Sequence, residues 1–284
     1  MINIQWFPGH MSKTLKDIQK NLKFVDCILI ILDARIPFSS MNFELLKYLN
    51  NKPFLILFNK SSLADLEQNS FFLNFFHKKK IFHTLNIDAK NKINTHKIYP
   101  KIKEILNYKK QKVKKFLKFM IIGVPNVGKS TLINCLAGKK ITKTSNLPGI
   151  TKKMQWINLD NNMKLLDTPG VLWPKFKYKE IGYSLTICGC IKENIFIKEE
   201  IIDYLLKYLK TKYPDNLKTI FNLNNFELEK NDLLQILINK MYPNIASNDY
   251  DLNQKNNLLS IIFKKIKSNK MPKINYDLNF KDFL

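Results

Sequence analysis

Residues 123–131 read GVPNVGKST, a G-x-x-x-x-G-K-S spacing that begins where the apolar run FLKFMIIG (116–123) ends and leads into the helical pattern STLINCLAG. That context, strand before and helix after, is the one in which the spacing builds a phosphate cradle. Gly123 and Gly128 let the chain turn tightly, so that the backbone N–H groups and the N-terminus of the next helix meet negative charge. Asn126, Val127, Gly128, Lys129, Ser130 and Thr131 are the candidate loop contacts. Lys129 would reach β- and γ-phosphates, and Ser130 would ligate Mg²⁺. A second chemistry-bearing stretch, DTPG (167–170), follows the apolar KLL. Asp167 would hold Mg²⁺ through water, and the Gly170 N–H would face the γ-phosphate. Between them lies PGIT (148–151), whose Thr151 is a candidate Mg²⁺ ligand and switch residue, with an ordinary Pro-Gly turn as the alternative.

These loops need a scaffold, and the hydrophobic pattern supplies one. VDCILIILDA (25–34) carries a continuous apolar run, as in a strand covered on both faces. PFLILFN and IFHTLNID read as further strands, and KTLKDIQKNLK, FELLKYLN, SFFLNFFHK and IYPKIKEIL read as helices. Leu15, Ile18 and Leu22 form the apolar stripe of the first helix. The alternation predicts an α/β fold with a mostly parallel sheet and helices on both faces. Residues 107–115 form a basic connector. From residue 178 onward only helical patterns appear, in EEIIDYLLKYLKTKY, NDLLQILINKM and NNLLSIIFKKIKSNK. The expected division is therefore a nucleotide domain over 1–177 and a small all-helical domain over 178–284.

The 284 residues carry a formal net charge of +24, which favours an anionic partner, nucleic acid first. Arg35 is the sole arginine, and Asn and Ile are abundant, the mark of an AT-rich genome that favours lysine codons. Part of the charge therefore reflects base composition. The four cysteines form no Cys-x-x-Cys pair, and Cys188-Gly189-Cys190 reads as small residues packed in a helix turn rather than a metal fragment. A reduced cytosolic setting is expected. MINIQWFPGH lacks a basic-then-apolar signal pattern, and no apolar run approaches the ~20 residues of a membrane span.

Taken in order, IQWFPGHM (4–11), LDARIP (32–37), GVPNVGKSTLIN (123–134), KTSNLPGIT (143–151) and LLDTPGVLWPKF (165–176) resemble the circularly permuted GTPases over nearly the whole chain. The resemblance implies a Ras-like P-loop GTPase domain whose base-recognition segments precede the phosphate loop. FNKSSLAD (58–65) then stands where GTPases carry Asn-Lys-x-Asp, with Asn59 toward the base and Lys60 beneath the loop. NIDAK (86–90) stands where the second base segment carries Ser-Ala-Lys, which makes Asp88 and Ala89 candidate contacts. Ser62 replaces the carboxylate that would accept from both guanine N1–H and its 2-amino group, so a weakened guanine preference is expected. Asp65, one helical turn on, is an alternative source of that carboxylate.

The resemblance further implies GTP hydrolysis with Mg²⁺ and K⁺. Val171 occupies the place of the water-orienting glutamine. His10 is the implied catalytic residue, with a bracing role in an N-terminal loop as the alternative. Asn126 is the implied K⁺ ligand, or else a plain loop amide. The implied partner is the large ribosomal subunit, rRNA and protein, late in its assembly, engaged by a bacterial cytoplasmic monomer more readily than by a mitochondrial one. Lys264, Lys265, Lys267, Lys270 and Lys273 would contact RNA phosphates, unless they form a solvated helix face. The helical tail departs from the family at YPNIASNDYDLNQ (242–254). A second hypothesis is a nucleotide-gated RNA-binding protein with relaxed purine choice and little hydrolysis.

Overall fold

The computed structural model describes residues 9–49, 52–78, 83–108, 116–142, 154–159, 163–172, 176, 178–192, 195–243, 252–267 and 272–277. Side chains at 9–11, 44, 107–108, 252, 255, 266 and 267 are outside the described set. The PGIT turn with Thr151, residues 109–115 of the basic connector, and Lys270 also lie outside it, as do the side chains of His10 and Lys267.

Six strands form one sheet: β1 (Cys27–Asp33), β2 (Phe54–Asn59), β3 (Thr84–Asn86), β4 (Leu117–Ile122), β5 (Gln155–Leu159) and β6 (Met163–Asp167). Their spatial order is β3-β2-β1-β4-β6-β5, parallel except for β5 against β6. Every residue of β1 is buried, as its unbroken apolar run requires of a central strand. Fully burying a Leu or Ile side chain stabilises by about 1.5–3 kcal/mol, so this strand anchors the fold.

The chain walks outward from β1 through β2 to β3, then returns to the other side of β1 with β4. Helices α2 (Phe43–Lys47) and α3 (Leu66–Lys78) make the outward crossovers, α4 (Ile98–Tyr108) makes the return crossover from β3 to β4, and α5 (Lys129–Leu136) follows β4. Right-handed crossovers taken in opposite directions put helices on opposite faces of the sheet. The direction reverses between β1 and β4, and the crevice at the carboxyl ends of such strands is where open α/β sheets bind ligands. α1 (Gly9–Asn21) packs Ile18 into the core, while Leu15 is half-buried.

Among the described residues, every regular element after β6 is helical: α6 (Lys179–Ile187), α7 (Lys198–Lys212), α8 (Pro214–Phe221), α9 (Asn225–Glu229), α10 (Leu233–Met241) and α11 (Leu252–Lys267). α7 buries Ile201, Ile202, Leu205, Leu206, Tyr208 and Leu209, and packs on α6, α8, α10 and α11. Asn224 and Glu227 close a capping box on α9. The chain then returns to the sheet region as an irregular strap, Ile274–Asp277. Asp277 accepts from the Phe38 and Ser39 amides at 2.6 and 2.9 Å and from the Ser39 hydroxyl at 2.6 Å. Asn275 donates to the Asp65 carbonyl at 3.2 Å and to Asn69 Oδ1 at 2.8 Å.

Candidate nucleotide-binding site

The phosphate loop links β4 to α5, as its sequence predicts. Gly128 has φ +98°, and a Cβ there would sit 2.3 Å from Asn59 Nδ2, so no other residue fits without moving the base loop. A Cβ on Gly170 would lie 2.7 Å from the Pro125 nitrogen, which brings the DTPG turn against the phosphate loop. The Val171 amide donates to the Gly123 carbonyl at 3.2 Å, and Thr168 Oγ1 to the Ile121 carbonyl at 2.6 Å.

Lys129 is 7% exposed and folds back on its own loop, donating to the carbonyls of Gly123 and Val124 at 3.0 and 2.9 Å. Burial lowers its pKa to about 8, against the pull of Asp167. Asp167 is 1% exposed, and neither carboxylate oxygen has a hydrogen-bond partner among the described residues. Burial raises its pKa to about 6, although the Lys129 charge and the nearby Thr168 amide favour the ionised form. Two unpaired buried oxygens beside the phosphate loop fit a hydrated Mg²⁺, with Ser130 in the first turn of α5 as a second oxygen donor. Among the described residues no group of three or more His, Cys, Asp or Glu could hold a metal by protein ligands alone. Such a cation would depend on phosphate oxygens and water.

The base corner is wired to this loop. Asn59, at the end of β2, donates to the Val127 carbonyl at 2.7 Å and accepts from the Ala89 amide at 2.9 Å. Its side chain therefore joins both base segments to the phosphate loop, and the Ala89 amide is spent in that link. Lys60 adopts φ 62° and donates to the Asn126 carbonyl at 2.7 Å and to Asp33 Oδ2 at 2.8 Å. Ser62 donates to Asp88 Oδ2. Asp88 is 3% exposed, and also accepts from the Asn91 amide at 2.9 Å and from Asn91 Nδ2 at 3.0 Å. Asp65 is turned elsewhere: Oδ1 takes the Glu67 and Gln68 amides, and Oδ2 takes the Tyr213 hydroxyl.

Asp33, Arg35, Asn91 and Gly189 are functional-site neighbours to which the sequence patterns assigned no role, although LDARIP (32–37) holds the first two. Asp33 ends β1 fully buried between Lys60 and the Nε and Nη2 of Arg35, at 2.9 and 2.7 Å. Despite the desolvation that opposes it, these two cations hold its carboxyl well below the usual range. An acid closing a wholly apolar strand, two residues before the chain's sole arginine, was the available signal. Asn126 Nδ2 donates to the Gly189 carbonyl at 2.7 Å. Gly189, with φ +74°, ends α6: its amide bonds the Thr186 carbonyl and the Cys190 amide bonds the Leu185 carbonyl. Cys188 and Cys190 are buried free thiols in this cap.

A phosphate loop after the fourth strand, with its base loop after the second, defines a circularly permuted P-loop GTPase. The family described as 50S ribosome-binding GTPase matches residues 118–257. Ribosome biogenesis GTPase A of Priestia megaterium is 41% identical over 230 residues, 78% of this chain and 80% of that protein. The probable ribosome biogenesis GTPase A of Mycoplasma genitalium is 34% identical over 284 residues, 97% of each. The crystal structure of GNP-bound YlqF from T. maritima shares the fold, with TM-score 0.59 and 20% identity over 93% of this chain and 97% of that one. The chain belongs to the ribosome biogenesis GTPase A family.

Proposed function

We propose that this protein binds and hydrolyses GTP as an assembly factor for the large ribosomal subunit, acting late in its maturation in a bacterial cytoplasm. The observation that carries the reading is the wiring of the base corner to the phosphate loop through Asn59 and Lys60. One nucleotide spanning both would be sensed by a single hydrogen-bonded unit. Mg²⁺, when bound, neutralises charge on the β- and γ-phosphate oxygens. Lys129 would exchange its two loop carbonyls for those oxygens, and Asp167, Ser130 and Thr151 would hold the hydrated cation. K⁺ would supply positive charge where other GTPases use an arginine. Asn126 would offer it the amide oxygen, the amide nitrogen being committed to Gly189. The hydrophobic Val171 leaves water orientation to His10.

The same Asn126–Gly189 contact supports a route from nucleotide to the helical region, which would carry the ribosomal contacts as a domain beginning near residue 178. Sedimentation with large subunits tests this reading. The expected result is co-sedimentation with a non-hydrolysable GTP analogue and loss with GDP. Nucleotide-independent sedimentation would contradict it.

A further inference from the structure

We propose that Asp88 supplies the carboxylate that reads guanine, in place of the residue missing from the Asn59-Lys60 loop. This rests on the reading of the site as a guanine-nucleotide site. The first base segment has Ser62 where GTPases have Asp, and the second has Asp88 where they have Ser. The fold puts these two side chains in direct hydrogen-bond contact. The same pair, one acid and one hydroxyl, is therefore present at the base corner with its chain positions exchanged. The exchange is visible only in three dimensions, because 26 residues separate the two members.

The carboxylate is held for such a task. The Asp88 amide and carbonyl pair with Ile93 at 3.0 and 2.9 Å, which fixes the backbone. Ser62 and both nitrogens of Asn91 orient the two oxygens. The next residue, Ala89, is tied through Asn59 to the phosphate loop, so the acid has a set distance from the phosphates. Asn91 is exposed, and its side-chain amide occupies a donor position that a base can take over. Guanine offers two adjacent donors, N1–H and the 2-amino group, which one carboxylate accepts together. Adenine presents an acceptor at N1 and xanthine an acceptor at C2, so both meet the acid unfavourably. Asp65 faces away from this corner, its carboxylate held by the first amides of α3 and by the Tyr213 hydroxyl of the helical region. A strong guanine preference is then expected, against the weakened one that Ser62 alone implies.

Displacement of a fluorescent GDP by GDP, ADP and XDP tests this on the full chain. Wild type is expected to favour GDP over ADP by about 100-fold or more, and Asp88→Asn to lose about 30-fold for GDP. Asp88→Asn should gain XDP binding, since an amide nitrogen donates to the 2-oxo group. The exchange Ser62→Asp with Asp88→Ser is expected to keep GDP affinity within about 3-fold of wild type, and it decides the matter if Asp88→Asn fails to fold. Equal binding of GDP and ADP by wild type, or an unchanged GDP preference in folded Asp88→Asn, would overturn the proposal and leave the nucleotide site standing. Binding of no nucleotide by wild type would overturn the underlying reading instead.

Discussion

The Asp167 carboxylate is buried with neither oxygen paired among the described residues. Its folded pKa, about 6, lies above the ordinary 3.8. A raised acid contributes stability below the unfolded pKa, and that contribution is lost as pH rises through the folded one. Wild type is therefore expected to lose about 2–3 kcal/mol relative to Asp167→Asn between pH 4 and 7.5 in chelator. Urea unfolding at the two pH values measures the difference; a gap that does not grow contradicts the assignment. The phosphate-loop residues were legible in sequence because each acts from a fixed position in one continuous turn. The Ser62–Asp88 pair was not, since neither residue signals the other until β2 and β3 stand side by side. Asp65 looked like a substitute acid by proximity in sequence, but it caps the start of α3.

At the scale of elements, the strands and helices with strong periodicity were readable, and β5 was not. Its burial alternates around a polar Asn158, and only Ile157 and Leu159 are buried, so it lacks the continuous apolar signal of the interior strands. It forms because β6 offers it an antiparallel edge. The Ile274–Asp277 strap was equally silent in sequence, since irregular segments held by side-chain hydrogen bonds have no period. Asp277→Ala is expected to cost about 2–4 kcal/mol, because the Phe38 and Ser39 amides and the Ser39 hydroxyl lose their acceptor together. An unchanged unfolding midpoint in urea would show that the strap adds nothing to the fold. Arg35 receives the strap as well, its carbonyl accepting from the Tyr276 amide at 2.8 Å. The buried Asp33 ion pairs and the returning chain thus meet at one loop.

For the whole molecule, the strand order explains how the base loop can precede the phosphate loop without changing the site. Both loops leave the carboxyl ends of parallel strands, and the sheet fixes their neighbours whatever their order along the chain. The charge of +24 belongs to this scale too. Lys264, Lys265 and Lys273 are exposed, and Lys265 also lies 5.3 Å over the Phe221 ring. The logarithm of subunit affinity should fall linearly with the logarithm of salt, and Lys264→Ala should reduce that slope by about 0.7. An unchanged slope would make that lysine part of a solvated face. The most direct test of a GTP-hydrolysing assembly factor is phosphate release in K⁺ and Mg²⁺, from GTP and from ATP, with and without large ribosomal subunits. The account predicts slow release from GTP alone, faster release with subunits, and none above background from ATP. Equal rates from the two nucleotides, or no acceleration by subunits, would contradict it.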